Sequence, residues 1–209
     1  MPAEMHVRHE DGHELPLLVW RFPEAMRIAS TAACGGGLRE GHWVINAQVA
    51  RDYARHDQHA HGSELAASLG LSAEGVVLFT AADVRDVRHA SDGGVDVDAT
   101  VGITHPTWAA DADDAVSPWP GTINVVALLP VQLSDAALLN ALCTATEAKT
   151  QALLEGGVPG TGTASDAVTI ACPPAASGPP ERFAGPRSPW GARLARAVHA
   201  AVRAGVQPA

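Results

Sequence analysis

The chain has 209 residues, 46% of them hydrophobic, and a formal net charge of −9. This length allows one substantial hydrophobic core, and no stretch in the middle has the composition of a flexible linker, so a single domain over residues 1–209 is expected. An acidic chain without a basic cluster is not expected to bind nucleic acid, because phosphates require a positively charged face.

The apolar and cysteine patterns limit the environment of the protein. The longest apolar run, residues 125–131, is too short to cross a bilayer, and the polar start does not resemble a signal peptide, so no membrane partner is expected. The cysteines, Cys34, Cys143 and Cys172, are scattered and lack a C-x-x-C spacing, which predicts reduced thiols in a cytoplasmic protein. A homo-oligomer is compatible with the sequence, which does not fix the number of subunits.

The first predicted elements are strands and a glycine-rich turn. Apolar segments on either side of Pro23 indicate two linked strands. They are followed by three consecutive glycines, Gly35, Gly36 and Gly37. These glycines either form a turn between strands or let backbone N–H groups approach a ligand, but they lack the G-x-G-x-x-G spacing of a dinucleotide site.

Two polar features follow. A short apolar strand ends on Asn46, whose amide would either cap the next element or point into a site. Imidazoles then recur at His56, His59 and His61, and imidazoles are common ligands of zinc and iron. Their spacing matches no helix or strand face, so a solvated loop before a helix that begins at Ser63 is favoured over a metal site. No metal is predicted.

A buried strand and a hairpin occupy the middle of the chain. Residues 75–80 indicate the buried strand, and residues 84–90 and 95–104 indicate an antiparallel hairpin joined by S-D-G-G. The second arm ends in Thr104 and His105. Because binding sites often lie at strand ends, both residues are candidate substrate contacts.

A strand–helix–loop–strand unit is predicted in residues 120–171. Ser134 is placed as the N-cap of the helix, and a pair of glycines supplies its end. Both strands adjoin polar turns that could form a site, so Thr122 and Asn124 on the first strand are candidate substrate contacts. A last helix is predicted to begin after Ser188.

The helix of this unit carries Lys149, the only lysine in the sequence. At about 100° per residue, Lys149 falls on a face with leucines, whereas Glu147 falls on the opposite, polar face with Thr144. The leucines of that face are Leu138, Leu139, Leu142 and Leu153. A solvated ammonium does not fit there, so Lys149 either forms a structural ion pair or has a catalytic or substrate-contact role.

Seven motifs in order along the chain resemble those of the adenosylcobinamide amidohydrolase family. They are S-T-A-A-C-G-G-G-L at 30–38, V-I-N at 44–46, L-F-T-A-A-D-V at 78–84, P-G-T-I-N at 120–124, T-A-T-E-A-K-T at 144–150, G-T-G-T-A-S-D-A-V at 160–168, and F-A-G-P followed by S-P-W-G at 183–191. The resemblance spans nearly the whole chain. One departure is His105, where relatives commonly carry asparagine, and the histidine-rich run is not a hallmark of the family.

The resemblance implies a cytoplasmic prokaryotic enzyme that hydrolyses the amide joining aminopropanol to the corrin ring side chain of adenosylcobinamide. The product would be adenosylcobyric acid for cobalamin salvage. The corrinoid is the substrate, and no cofactor is implied. The unit at 120–171 is also similar to the aminopeptidase/ornithine acetyltransferase superfamily, which implies an α/β layered sandwich of mixed sheets covered by helices, with an α/β/β/α order. Members of that group cleave their own chains, but no residue of this sequence can be assigned as the nucleophile, so self-processing is not expected from the resemblance.

Two mechanisms of amide hydrolysis are compatible with these residues. In the first, a hydroxyl attacks with Lys149 as the base and glycine-loop N–H groups hold the oxyanion. The candidate hydroxyls are those of Thr31, Thr161 and Thr163. In the second, water attacks directly and Glu147 or Asp166 is the base.

Corrinoid binding requires donors for the amides around the ring. The candidates are Asn46, Thr104, Thr122 and Asn124, together with His105 and the glycines at 35–37. Two alternatives stay open at this point. One is a corrinoid-binding protein without catalysis, and the other is a metal-dependent amidohydrolase that uses His56, His59 and His61.

Overall fold

The computed structural model describes residues 2–72, 74–112, 121–174 and 178–206. Its strands are β1 (Glu4–Glu10), β2 (His13–Ser30), β3 (Gly37–Gln48), β4 (Gly75–Thr80), β5 (Arg88–Asp92), β6 (Val95–Gly102), β7 (Thr122–Leu128) and β8 (Ala167–Cys172). Its helices are α1 (Gln58–Ser68), α2 (Asp135–Glu155) and α3 (Pro189–Gly205), and Val84–Asp86 forms a 3-10 turn.

The described strands form one mixed sheet in the order β4-β3-β2-β8-β7-β6-β5, with β1 paired to β2. The pairs β3–β4 and β7–β8 are parallel, and the other pairs are antiparallel. The last strand along the chain, β8, therefore lies between β2 and β7, in the middle of the sheet. The predicted hairpin is present as β5 and β6, although its first arm begins only after the 3-10 turn.

The long strand β2 connects the two halves of the sheet. Its register with β3 shifts between Arg21 and Met26, and only Arg27–Ser30 pair with β8. The two strands predicted on either side of Pro23 are thus one strand with an irregularity. Proline cannot donate a ladder hydrogen bond, which favours such an irregularity at this position.

Three apolar clusters show how the layers stack. Helices α2 and α3 cover one face of β5–β8 with residues such as Val125, Ile170, Leu138 and Val198. A second cluster lies between the two halves of the sheet and includes Trp20, Val44, Leu78 and Val126. A third joins α1 to the outer face of β3 and β4 through Leu65, Ile45 and Val77. The predicted layered α/β fold is confirmed, and its order is α/β/β/α.

Helix α2 has the predicted N-cap, because Ser134 Oγ accepts a hydrogen bond from Ala137 N at 3.2 Å. Its predicted faces are partly wrong. Leu139 is 50% exposed, whereas Thr144 is buried and donates to Ala184 O at 2.8 Å. The reason is that α2 packs against α3 as well as against the sheet, so that the buried arc is turned from the leucine face and is rich in alanine.

Helix α1 begins at Gln58, five residues before the predicted start at Ser63. His59 and His61 therefore belong to a helix and not to a loop. All three cysteines are free thiols, and Cys34 and Cys172 are buried. Each helix found in the described segments is too short or too polar for a membrane span.

Candidate active site

A cavity of about 340 Å³ opens beside the ends of several strands. It is bordered by residues that follow β2 and β4 and by residues at the starts of β7 and β8. The polar side chains in its wall are those of Thr31, Tyr53, Gln58, Thr80, Thr122, Ser165 and Asp166. Ala32, Val77, Leu78 and Phe79 are among the apolar lining residues. The mixture of an apolar wall and a few convergent polar groups is typical of a small-molecule site.

Asp166 is the most heavily hydrogen-bonded group of this wall. Its Oδ2 pairs with Lys149 Nζ and accepts from Thr163 N at 3.1 Å. Its Oδ1 accepts from Ile123 N at 2.9 Å and from Thr163 Oγ1 at 2.5 Å. Lys149 is only 5% exposed, and a buried ion pair is tolerated when its remaining hydrogen-bonding positions are satisfied in this way. The pair fastens α2 to the start of β7 and to the loop before β8.

Gly162 lies directly against this ion pair. A Cβ at this position would lie 2.5 Å from Lys149 Nζ and closer still to Asp166 Oδ2. Such distances are shorter than van der Waals contact, so a larger residue would push the ion pair apart. The lack of space for a side chain beside the ion pair explains the second glycine of the G-T-G-T motif.

Ser165 is the hydroxyl that the sequence interpretation missed. It is exposed toward the cavity, and its Oγ lies 2.8 Å from Thr122 Oγ1 and 3.2 Å from Gly121 O. A carbonyl can only accept, so the arrangement with Ser165 donating to Gly121 O leaves Thr122 as the donor to Ser165. The sequence did contain a signal for Ser165, because it lies between Thr163 and Asp166, two residues that were already predicted to belong to the site.

Thr31 also lines the cavity and keeps a proton to donate. Its Oγ1 accepts from Val168 N at 2.9 Å, and its own N–H donates to Val168 O at 3.0 Å. The hydroxyl proton is therefore not used by this contact with β8. Thr31 is exposed, and it can donate a hydrogen bond to a group in the cavity.

The other candidate threonines fasten loops. Thr163 Oγ1 lies between Gly121 O, at 2.6 Å, and Asp166 Oδ1. Thr161 Oγ1 accepts from Ala109 N at 2.9 Å, and its N–H donates to Thr107 O at 2.8 Å. Neither residue borders the cavity.

Asn46 and Asn124 form a buried network beneath the cavity. Asn124 Nδ2 donates to Asn46 Oδ1 at 2.8 Å and to Phe79 O at 3.1 Å, and Asn46 Nδ2 donates to Thr100 Oγ1 at 3.0 Å. The contact with the Phe79 carbonyl fixes the orientation of the Asn124 amide, since its oxygen could not face another acceptor. The network ties β3 and β4 in one layer to β6 and β7 in the other, and neither asparagine lines the cavity.

The remaining candidates lie outside the cavity wall. Glu147 is exposed on the outer face of α2, and Thr104 is exposed after β6 beside the half-buried His105. The glycines form the turn between β2 and β3. Gly35 and Gly37 have φ angles of +76° and +93°, in the left-handed region that favours glycine. A Cβ on Gly36 would lie 3.1 Å from Ser30 O and closer to Ala32 O.

The histidines do not converge on a metal. His59 and His61 are two residues apart in α1, so their side chains diverge by about 160°. His56 is exposed in the preceding loop, and His61 is only 1% exposed, with its Nδ1 2.8 Å from Tyr53 Oη. Within the described residues there is no group of three or more histidine, cysteine, aspartate or glutamate side chains that could hold a metal ion.

Two solved structures are similar to this chain. One is an L-aminopeptidase D-Ala-esterase/amidase from Ochrobactrum anthropi, with a TM-score of 0.45 and 13% identity, matched over 98% of this chain and 82% of that one. The other is a Burkholderia β-aminopeptidase, with a TM-score of 0.45 and 12% identity, matched over 99% of this chain and 83% of that one.

Sequence relatives cover nearly the whole chain. The family model described as adenosylcobinamide amidohydrolase matches residues 2–209. A protein of that name from Halobacterium salinarum is 36% identical over 187 residues, which are 85% of this chain and 79% of that protein. Another of that name, from Methanosarcina mazei, is 29% identical over 187 residues, which are 86% of this chain and 90% of that protein.

These relatives define the class of the protein, which is an amidohydrolase. The chain belongs to the adenosylcobinamide amidohydrolase family.

Proposed function

We propose that this protein hydrolyses the amide between aminopropanol and the corrin side chain of adenosylcobinamide, and that it releases adenosylcobyric acid for cobalamin salvage in the cytoplasm. The family assignment over residues 2–209 supports the substrate class. The observation that carries the proposal is the cavity in which the hydroxyls of Thr31, Thr122 and Ser165 converge beside Asp166. A linear amide presents one carbonyl oxygen and one N–H group. Hydroxyls can donate to the carbonyl oxygen, and hydroxyl or carboxylate oxygens can accept from the N–H group.

The size of the cavity indicates which part of the substrate enters it. At about 340 Å³ it lies at the lower end of the range of about 300–1,000 Å³ that is usual for ligand pockets. A corrin ring with its amide side chains is too large for this volume. The side chain that carries the scissile amide and aminopropanol therefore enters the cavity, and the ring rests on the surface around the opening.

Direct attack by water suits the geometry better than attack by Thr161 or Thr163. Thr163 Oγ1 is committed to Gly121 O and Asp166, and the hydroxyl of Thr161 is used in a loop contact. Lys149 is paired with Asp166, so it does not offer the free amine that a base requires. The carboxylate of Asp166 lies within hydrogen-bonding distance of four donor groups, one of which, the Thr163 hydroxyl, it shares with Gly121 O, and this leaves it poorly placed to take a proton from water.

In this mechanism the residues of the site have separate tasks. The Thr31 hydroxyl donates to the amide carbonyl oxygen, on which negative charge develops as water adds to the carbonyl carbon. Ser165, held by Thr122, orients the attacking water. Lys149 and Asp166 fix the loop that carries Ser165, and the C–N bond breaks as the amine nitrogen takes up the proton that the attacking water loses.

The test is release of aminopropanol from adenosylcobinamide, measured with and without a chelator. We expect release in both conditions. Tight binding of the corrinoid without release would instead support a non-catalytic corrinoid-binding protein, and loss of release with the chelator would support the metal-dependent alternative.

Point variants extend this test to the cavity. Removal of one donor to a developing oxyanion costs about 10²–10³ in kcat, so Thr31→Val is expected to fall in that range. The matched control is Thr146→Val on the exposed face of α2, which should keep the wild-type rate. Equal rates for the two variants would remove Thr31 from the mechanism.

A further inference from the structure

Three side chains next to the cavity form a chain of polar contacts that the mechanism above does not use. Tyr53 borders the cavity, and its Oη lies 2.8 Å from His61 Nδ1. On the other side of the imidazole, His61 Nε2 lies 3.2 Å from Glu10 Oε1, an ion-pair distance. We call Tyr53, His61 and Glu10 the Tyr53 triad. Its members come from the loop after β3, from α1 and from β1.

The carboxylate of Glu10 favours one tautomer of His61, although His61 Nε2 and Glu10 Oε1 do not form a well-aligned hydrogen bond. A carboxylate beside Nε2 favours a proton on that nitrogen, which leaves Nδ1 as an acceptor. Tyr53 therefore donates its hydroxyl proton to Nδ1. The lone pairs of the phenol oxygen remain available to a group in the cavity.

The rings are held in place by stacking. Phe79, which also lines the cavity, stacks on His61 with ring centroids 5.1 Å apart and on Tyr53 with centroids 5.7 Å apart. The His61 side chain is 2% exposed. Aromatic packing of this kind restricts ring rotation, so the Tyr53 ring keeps a fixed position in the cavity wall.

The charges around the triad set its resting state. Burial lowers the pKa of His61 below its usual value, an effect that Glu10 opposes and that Arg55 and Arg8 reinforce. Burial also raises the pKa of Tyr53. Both groups are therefore neutral near neutral pH, and Glu10 stabilises a transient positive charge on the imidazole. The titratable and charged groups around His61 are Glu10 and Arg8 on β1, and Tyr53, Arg55, Asp57 and Glu64 before and on α1.

We propose that Tyr53 is the catalytic acid–base group of the amide hydrolysis, and that His61 and Glu10 are positioning residues that store the proton. The proposal rests on the proposed function, for which Tyr53 supplies the base that Lys149, Glu147 and Asp166 do not.

The proton transfers balance over one turnover. As the water oxygen bonds to the carbonyl carbon, a water proton moves to Tyr53 Oη while the phenol proton moves to His61 Nδ1. The imidazolium that forms lies beside the Glu10 carboxylate. As the C–N bond breaks, Tyr53 Oη gives a proton to the leaving amine nitrogen and regains one from Nδ1, so the triad returns to its starting state.

The test is a comparison of kcat, KM and thermal stability in Tyr53→Phe, which keeps the stacked ring and removes only the phenol oxygen. Loss of a general acid–base group costs about 10²–10⁴ in rate, so we expect kcat to fall in this range with little change in KM. The Tm should fall only modestly, because the buried His61 Nδ1 loses one hydrogen-bond donor. His61→Gln should lower kcat as well. The matched control is His59→Gln on the exposed side of the same helix, which should keep the wild-type kcat.

A pH profile separates proton transfer from a structural role. The wild-type kcat should rise with pH as His61 becomes neutral, and this rise should be absent from the residual activity of His61→Gln. A Tyr53→Phe enzyme with wild-type kcat, or a lower Tm at unchanged kcat, would overturn the proposal while the wild type still releases aminopropanol. A wild type that releases none would overturn the proposed function and the triad with it.

Discussion

Lys149 Nζ on α2 pairs with Asp166 Oδ2, directly before the strand β8 and next to Ser165. Lys149 is the only lysine of the sequence, and its buried side chain lies against the loop that carries two of the three predicted candidate hydroxyls, Thr161 and Thr163. The ion pair therefore links the position of Ser165 to the packing of α2.

Lys149→Arg is predicted to keep the fold and lose activity. The planar guanidinium is larger than an ammonium, and Gly162 packs against Nζ, so the arginine would displace the loop. Aminopropanol release and circular dichroism measure the two effects. Lys149→Met is the companion variant, and it should lower the free energy of unfolding by about 3–5 kcal/mol because Asp166 keeps a buried, unpaired charge. An active Lys149→Arg enzyme would contradict the prediction.

Gly162→Ala is predicted to destabilise the protein by about 1–3 kcal/mol, the usual cost of overpacking. The added methyl group would meet Lys149 Nζ and Asp166 Oδ2. Denaturant unfolding measures the loss. In the Lys149→Met background the second substitution should cost less, since the ammonium is gone, and strict additivity of the two losses would show that Gly162 does not act through the ion pair.

Removal of either amide of the buried network is predicted to lower stability. Asn46→Ala removes the acceptor of Asn124 Nδ2 and the donor to Thr100 Oγ1, at a cost of about 1–3 kcal/mol per unsatisfied group. Asn124→Ala should act similarly. A double-mutant cycle should give a coupling of about 0.5–3 kcal/mol, and a coupling near zero would mean that the two layers are not joined through these amides.

The stability of the protein is predicted to fall between pH 7 and pH 5.5. Burial lowers the pKa of His61 below its usual value of 6.5, so the unfolded chain binds a proton that the native state does not. The unfolded state is then favoured as the pH drops through 6.5, by up to about 1.4 kcal/mol per pH unit for one proton. Urea unfolding at several pH values should show a shallower slope in His61→Gln than in the wild type. The same slope in both would contradict the prediction.

The native protein is predicted to react with one equivalent of a thiol reagent. Cys143 is exposed, whereas Cys34 and Cys172 are buried, and burial raises the pKa of both buried thiols and so lowers their thiolate fraction. Mass spectrometry before and after denaturation counts the labels. Rapid labelling of all three cysteines without denaturant would contradict the described packing.

Local sequence signals predicted most of the fold. The strand β7, the cap at Ser134, helix α2 and strand β8 form a unit whose periodicity and turn residues agree with each other. The face of α2 was predicted less well, because Leu139 and Thr144 exchange their expected environments once α3 packs on the helix. A helical wheel shows which residues of one helix share a face, but it does not show that a second helix packs against that helix.

The candidate site was predicted only in part, for a related reason. Thr31, Thr122 and Asp166 were identified, and they do border one cavity. Tyr53 and Ser165 were missed because their importance depends on which chain segments meet. The loop after β3 approaches the start of β8 only because the two layers stack on each other. The spacing of residues along the sequence does not indicate this contact.

The last strand of the chain completes the middle of the sheet. Thr31 and Val168, which bond to each other across this junction, are 137 residues apart in sequence. During synthesis, the earlier strands can pair only with their near neighbours until β8 has left the ribosome. The wall that carries Thr31 and the loop that carries Ser165 therefore come together late, so a chain shortened before residue 167 would lack the binding cavity altogether and would expose the edges of β2 and β7 to other chains.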